Sequence, residues 1–371
     1  FPTGILTTAE VISMPKMTYK EEEKIRDSAH LKGLLEQLPP FLFIYFRGIA
    51  QTTSVKTRIG YAYDLKVFFN FLCEKNDNFI GVDFEDINVS MLETITPQDI
   101  EEFLDYVTSY VPFRDTEEDC INNTALFNAE NAKSRKLAAI RSMYKYFLQK
   151  QYIKIDPAAL VSTPKIHEKS IIRLEANEVA DLLDEVESGE NLTDRQKCFH
   201  EKTKLRDLAI ITTLVGTGIR VSECVGLNVD DIDFDSYCFT ITRKGGKQAV
   251  LYFGDEVAEA LENYIKYRNE HPPKDENDKA LFLSGQGKRI NVRSVQLLVK
   301  KYSQAVIKLK KITPHKLRST FGTNLYLETG DIYLVADVLG HADVNTTRKH
   351  YAATEIDLKR KAARKIHLRK D

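Results

Sequence analysis

The chain has 371 residues, 43% of them hydrophobic and 29% charged, so it exceeds one typical domain and can give each of two domains a core. Its strongest apolar run, Phe41 to Phe46, falls far short of the roughly 18 residues of a membrane span, and the start lacks the basic-then-apolar layout of a secretion signal. Five scattered cysteines with no Cys-x-x-Cys pair argue against a disulfide framework or a thiolate zinc site, and 53 basic against 54 acidic residues (net −1) exclude a uniformly basic surface.

A reduced, cytoplasmic protein with no membrane partner is therefore expected. Residues 1–45 are mixed. Glu21 to Arg26 and Leu31 to Leu38 predict short helices ended by Pro39-Pro40, and the stretch is assigned to no domain. Residues 46–164 read as a small all-helical domain. Tyr61, Leu65, Phe68, Phe69 and Leu72 recur at three- and four-residue steps, and Thr96-Pro97-Gln-Asp99 is a helix-start signature. Asp115 to Asn131 is polar and acidic and reads as a long loop. The next helix has Leu137, Ile140, Met143, Tyr144 and Phe147 on one face, with cations expected on the other. Lys133 to Lys154 contains no acid, and Lys133, Arg135, Lys136, Arg141 and Lys145 are its candidate DNA-binding residues.

Residues 165–172 read as a linker, and a second domain is expected over 173–351. Glu175 to Val186 is a predicted helix, Asn191 to Lys204 a polar insertion, and Leu208 to Val215 an apolar helix. Ile232 and Phe234, then Phe239 and Ile241, then Val250 and Tyr252 alternate, with turns at Asp233 to Ser236 and Arg243 to Lys247. Three short antiparallel strands follow from that pattern. The remainder reads as helical apart from a loop over Phe282 to Ile290, and residues 352–371 form a basic tail. The expected fold class is mainly α with a small antiparallel β-sheet.

Six residues in this second part make a chemical set: Arg220, Lys244, His315, Arg318, His341 and Tyr351. Two guanidiniums can hold the non-bridging oxygens of a phosphodiester, a phenol can attack its phosphorus, and imidazoles and an ammonium can move the protons. Arg220 follows Gly216-Thr-Gly218, and Glu223 lies beside it. No Lys-Ser/Thr follows those glycines as in a phosphate-binding P-loop. His315 and Arg318 follow Thr313-Pro314, which places them on the first turns of a helix where free N–H groups favour an anion. Lys244 sits in a hairpin turn that Lys247 shares, so either lysine can present an ammonium. No carboxylates cluster near the histidines, so no metal and no cofactor is expected.

The order Arg, Lys, His-x-x-Arg, His, Tyr in the segments Gly218 to Glu223, Arg243 to Lys247, Thr313 to Arg318, Leu339 to His341 and Thr346 to Tyr351 resembles the tyrosine recombinase (integrase) family. The resemblance runs from about Thr52 to Tyr351. It implies a helical core-binding domain and a mixed α/β catalytic domain that clamp duplex DNA at a specific recombination site. It further implies that Arg220 and Arg318 contact the scissile phosphate with Glu223 in support, that Lys244 protonates the leaving 5′-oxygen, and that His315 and His341 balance protons. Tyr351 is implied as the nucleophile that forms a 3′-phosphotyrosine. The family's usual gap from this histidine to the tyrosine is nine residues and here it is ten (351 − 341), so His350 occupies the usual place. Residues 352–371, with Ile356, Ala363 and Ile366 among cations, are expected to dock onto a neighbouring subunit of a homotetramer. Integration or excision of a mobile element, with a possible accessory directionality protein, and resolution of replicon multimers are both compatible outcomes. The competing readings are a type IB topoisomerase-like relaxation activity and a non-catalytic DNA-binding relative.

Overall fold

The computed structural model describes residues 19–110, 126–165, 172–243, 246–275, 278–341 and 344. The chain divides into two compact units, 1–168 and 169–371. Among the described residues, no helix is long and apolar enough to cross a membrane.

The first unit holds helices α1 (Tyr19–Leu35), α2 (Leu42–Gly48), α3 (Val55–Lys75), α4 (Pro97–Tyr106) and α5 (Glu130–Gln149), with a two-stranded ladder of β1 (Ser109–Tyr110) and β2 (Leu126–Phe127). Thr96 caps α4 as expected: its hydroxyl accepts from the Asp99 backbone at 3.2 Å, while the Asp99 carboxylate accepts from the Thr96 backbone at 2.7 Å. Phe68, Phe69, Phe103, Tyr144 and Phe147 form the fully buried centre.

Three expectations for this unit change. Glu21 to Leu38 is not two short helices, because α1 runs unbroken from Tyr19 to Leu35, and Leu31, Leu34, Leu38, Leu42 and Tyr45 join the core. The packing therefore does not break at residue 45. The stretch from Asp115 to Asn131 is not loop throughout, since it contains β2 and the start of α5; residues 111–125 lie outside the described residues. Finally, the cations of α5 do not all face solvent. Lys136 is buried and donates to Asp64 at 3.2 Å, and Arg135 reaches the same oxygen at 2.8 Å. Arg141 donates to the Ala158 and Val161 carbonyls and to the Thr163 hydroxyl, closing the chain that follows the helix. Lys133 pairs with Glu130 at 3.5 Å. Only Arg135 and Lys145 of the five are exposed.

The second unit holds α6 (Ala176–Ser188), α7 (Asp194–Thr217), α8 (Val221–Cys224), the antiparallel sheet β3 (Ile232–Asp233), β4 (Cys238–Thr242) and β5 (Gln248–Tyr252), then α9 (Asp255–Glu270), α10 (Val292–Val306), α11 (Pro314–Thr329) and α12 (Ile332–Leu339). Asn191 to Lys204 is not an insertion. Thr193 and Gln196 form a capping box, and α7 runs for 24 residues from Asp194. The polar residues serve the interior: His200 is buried with its ring nitrogen 3.2 Å from the Tyr302 hydroxyl. The buried Asp207 carboxylate takes Arg206, Lys301 and Tyr302.

The three strands appear where the alternation puts them, but β5 faces the other way. Phe239 pairs with Leu251 and Thr240 with Val250, and directly paired residues share a face. Leu251 is therefore buried with Phe239 and Ile241, whereas Val250 and Tyr252 are exposed.

The Asp64 pair gives a stability test. Burial pushes the Asp64 carboxyl above its ordinary range, although Lys136 and Arg135 pull it down. Lys136→Met should lower stability by about 2 kcal/mol, because it leaves the buried carboxylate with only the exposed Arg135 as a charged partner, and adding Asp64→Leu should recover most of the loss. Urea transitions followed by circular dichroism measure both; an unchanged single variant would show that the pair is solvated.

Candidate active site

Helix α7 ends at Gly218, whose φ of +63° is left-handed. The chain then turns into α8 with Arg220 at its N-cap. The Glu223 carboxylate accepts from the Arg220 backbone at 3.0 Å and from its guanidinium at 3.1 Å, so one carboxylate orients both. Glu223 is largely buried, while the Arg220 side chain is 37% exposed. Cys224, next in sequence, is fully buried, and its thiol is pushed up to about 12 first by burial and then by the Glu223 charge, which keeps it out of nucleophilic chemistry.

Helix α12 closes with a Schellman turn. The His341 N–H donates to the Ala336 carbonyl at 2.9 Å and the Gly340 N–H to Asp337 at 2.8 Å, with Gly340 at φ +59°. That turn sets where His341 leaves the helix. Three arginines satisfy the carbonyls of its last residues. Arg220 donates to Gly340 at 2.9 Å, Arg318 donates to Leu339, and Arg243 donates to Val338 at 2.7 Å and Asp337 at 3.0 Å. Arg318 also donates to the Gly218 carbonyl, tying the end of α7 to the end of α12. Cations at the negative end of a helix are favoured electrostatically as well.

Of the residues singled out from sequence, Arg220, Glu223, Arg318 and the backbone of His341 come together here. Pro314 opens α11, His315 is exposed on the first turn, and Arg318 one turn later is buried. Lys244 and Tyr351 lie outside the described residues, as does the tail after Tyr351; Lys247 is exposed at the base of the β4–β5 hairpin. Arg243 was not among the sequence candidates. Its neighbour Lys244 matches the motif, and nothing local marks which way an arginine at a hairpin turn will reach.

The arrangement places guanidiniums from the α7–α8 corner and from α11 on consecutive carbonyls, beside a histidine. Such a set suits an anion whose oxygens need several donors at fixed angles.

Residues 173–356 match the sequence profile of the phage integrase family. Tyrosine recombinase XerC of Caldanaerobacter subterraneus subsp. tengcongensis is 33% identical over 321 residues, covering 84% of this chain and 82% of that protein. Tyrosine recombinase XerS of Lactococcus lactis subsp. cremoris is 30% identical over 350 residues, covering 88% and 95%. Among solved structures, the XerH site-specific recombinase bound to palindromic difH substrate in a post-cleavage complex aligns with a TM-score of 0.62 at 20% identity, over 95% of this chain and 91% of that one. A lambda integrase dimer bound to a COC′ core site aligns with a TM-score of 0.57 at 15% identity, over 86% and 79%. These two share the fold.

The close approach at Gly218 gives a direct test. A Cβ there would lie 2.4 Å from the Phe321 ring and 3.0 Å from Leu339, at a φ that L side chains rarely adopt. Gly218→Ala should destabilise the second unit by at least about 2 kcal/mol, from strain and overpacking together. Gly285→Ala, where nothing lies within 4 Å, is the control and should change little. Equal midpoints for the two variants in urea would contradict the packing described.

Proposed function

The chain belongs to the phage integrase family, the tyrosine recombinases, and from that membership we propose how its own residues exchange DNA strands. It is a tyrosine-type site-specific recombinase. The substrate proposed is cytoplasmic duplex DNA bearing a defined recombination site, in keeping with the DNA held by the XerH and lambda integrase structures of the same fold.

Tyr351 is the nucleophile in this reading. Its phenolic oxygen bonds to phosphorus as the bond from phosphorus to the 5′-oxygen breaks, leaving a 3′-phosphotyrosine and a free 5′-hydroxyl. The phenol's proton passes to His315, and Lys244 gives its own proton to the departing 5′-oxygen. Negative charge grows on the two non-bridging oxygens, where Arg220 and Arg318 receive it and His341 adds a donor. A 5′-hydroxyl from the partner strand then attacks the phosphotyrosine and restores the phosphodiester. The bond energy stays in the covalent intermediate, so the cycle consumes no ATP and draws on no metal. Glu223 holds Arg220, and the exposed Arg135 and Lys145 of α5 are assigned to the DNA backbone.

The observation that carries the reading is the seating of Arg220 and Arg318 on the Gly340 and Leu339 carbonyls, one and two residues before His341. Residues contributed by three segments of a phosphate-directed set meet at one helix end. The lambda integrase structure is a dimer on its site, which supports an assembly of more than one protomer. The working form proposed is a homotetramer on two sites, joined through residues 352–371, with a directionality protein as a possible accessory.

Two expected outcomes test this. Nicked duplexes cut from the chain's own genomic neighbourhood should trap a covalent adduct, which Tyr351→Phe abolishes while DNA binding stays nearly intact. An adduct that persists in Tyr351→Phe and vanishes in His350→Ala would move the nucleophile to the imidazole. Deleting residues 355–371 should spare single-site binding but remove higher-order complexes and recombination, and wild-type cleavage should proceed in EDTA. Recombination by the truncated chain would reduce the tail to a DNA contact, and EDTA-sensitive cleavage would bring a metal into the reaction.

A further inference from the structure

We propose that Arg243 is a positioning residue for strand cleavage: its side chain ties the root of the β4–β5 hairpin to the end of α12, one residue before Lys244 in the chain, and so supports proton donation by that lysine. This rests on the reading of Lys244 as the proton donor to the 5′-oxygen.

Arg243 stands at the end of the β4–β5 ladder. Its backbone N–H donates to the Lys247 carbonyl at 2.7 Å and its own carbonyl accepts from Gly246 at 3.2 Å, so its backbone is held at the root of the turn. Its side chain leaves the hairpin altogether. The two terminal nitrogens fork onto the Asp337 and Val338 carbonyls, 94 and 95 residues away in sequence. The guanidinium lies flat against Gly340, where a Cβ would come within 2.2 Å of one of its nitrogens. Its Nε is buried with no hydrogen-bond partner among the described residues, so this seat is shaped for the two-pronged contact at some loss elsewhere.

Two consequences follow from covalent geometry. Consecutive Cα atoms along a trans chain are about 3.8 Å apart, so anchoring Arg243 limits how far the residue that follows it can stray. A proton donor must come within about 3 Å of the atom it serves, and a lysine on an unanchored hairpin samples many positions. The anchor point is also the helix end that seats Arg220 and Arg318. One turn thereby holds Arg243 together with the two phosphate-directed guanidiniums. Only a planar fork spans two neighbouring carbonyls in this way, and a lysine at 243 would offer a point charge instead.

The experiment uses the full chain and the duplex recovered in the adduct assay, made with either an ordinary phosphodiester or a 5′-bridging sulfur at the cleaved bond. A 5′-thiolate leaves without a proton, so a defect in proton donation disappears on the sulfur substrate. Arg243→Ala should slow cleavage of ordinary DNA by roughly 10-fold to 10²-fold and cleave the sulfur substrate at close to the wild-type rate, as Lys244→Ala should. Arg243→Lys should fall between Arg243→Ala and wild type on ordinary DNA. Because Arg243 acts through Lys244, the double variant should be no slower than Lys244→Ala alone. Should Arg243→Ala fail to fold, Arg243→Lys carries the same comparisons. Equal slowing on both substrates, with Lys244→Ala still rescued by sulfur, makes Arg243 a residue of the fold and overturns the proposal while leaving the role of Lys244 standing. If sulfur does not rescue Lys244→Ala, the proton-donor reading itself fails and the proposal falls with it.

Discussion

A helix C-terminus leaves carbonyl oxygens without intrahelical donors and gathers partial negative charge, and the second unit is organised around one such end. The Schellman turn of α12 uses two backbone N–H groups, and the oxygens of Asp337, Val338, Leu339 and Gly340 draw guanidiniums from three directions. Arg220 arrives from the α7–α8 corner, Arg318 from α11, and Arg243 from the β4–β5 hairpin. Each arginine therefore serves two purposes at once. It closes the helix, and in closing it is held in a fixed orientation before any DNA is bound. In the proposed reaction, electrostatic stabilisation depends on donors that need no reorganisation when charge develops, and a guanidinium already seated on a carbonyl suits that role.

Not every charged residue is a surface residue, so the net charge is a poor guide to the surface. Lys136 reaches the buried Asp64 from inside and Arg135 from the surface, and Arg206 and Lys301 converge on Asp207, so in both units cations are held by buried carboxylates. Burial holds the Lys301 ammonium below its ordinary value against the opposing pull of Asp207, and it raises the Tyr302 hydroxyl well above its own. Charges removed from water persist only where partners and hydrogen bonds replace the lost hydration. A total of −1 thus says little about the charge available at a surface that meets phosphate.

Local chemistry made much of this fold legible from residues alone. Thr96-Pro97-Gln-Asp99 and Thr313-Pro314 opened helices for short-range reasons: the Thr96 hydroxyl caps a free N–H, and Pro314, like Pro97, brings a fixed φ to the first turn. The apolar stripe of α5 and the three strands followed from periodicity. The misreadings share a cause. Asn191 to Lys204 looks like an insertion because it is polar; the Thr193–Gln196 capping box starts the helix locally, and Tyr302 on α10 gives the polar His200 a partner in the interior. The alternation of Val250 and Tyr252 is real, but which alternate set turns inward was decided by the pairing of Leu251 with Phe239.

By itself the sequence determined the residue types, their order and their attachment to helix starts and turns, and therefore the chemistry and the family, because a motif is read one position at a time. Only the tertiary structure decided where each cation points. Lys136 finds Asp64 across 72 residues, Arg141 staples the chain behind its own helix, and Arg243 crosses 94 residues to reach α12. A guanidinium or ammonium takes whatever acceptor the packed chain brings within about 3 Å, and no spacing along the sequence encodes that approach.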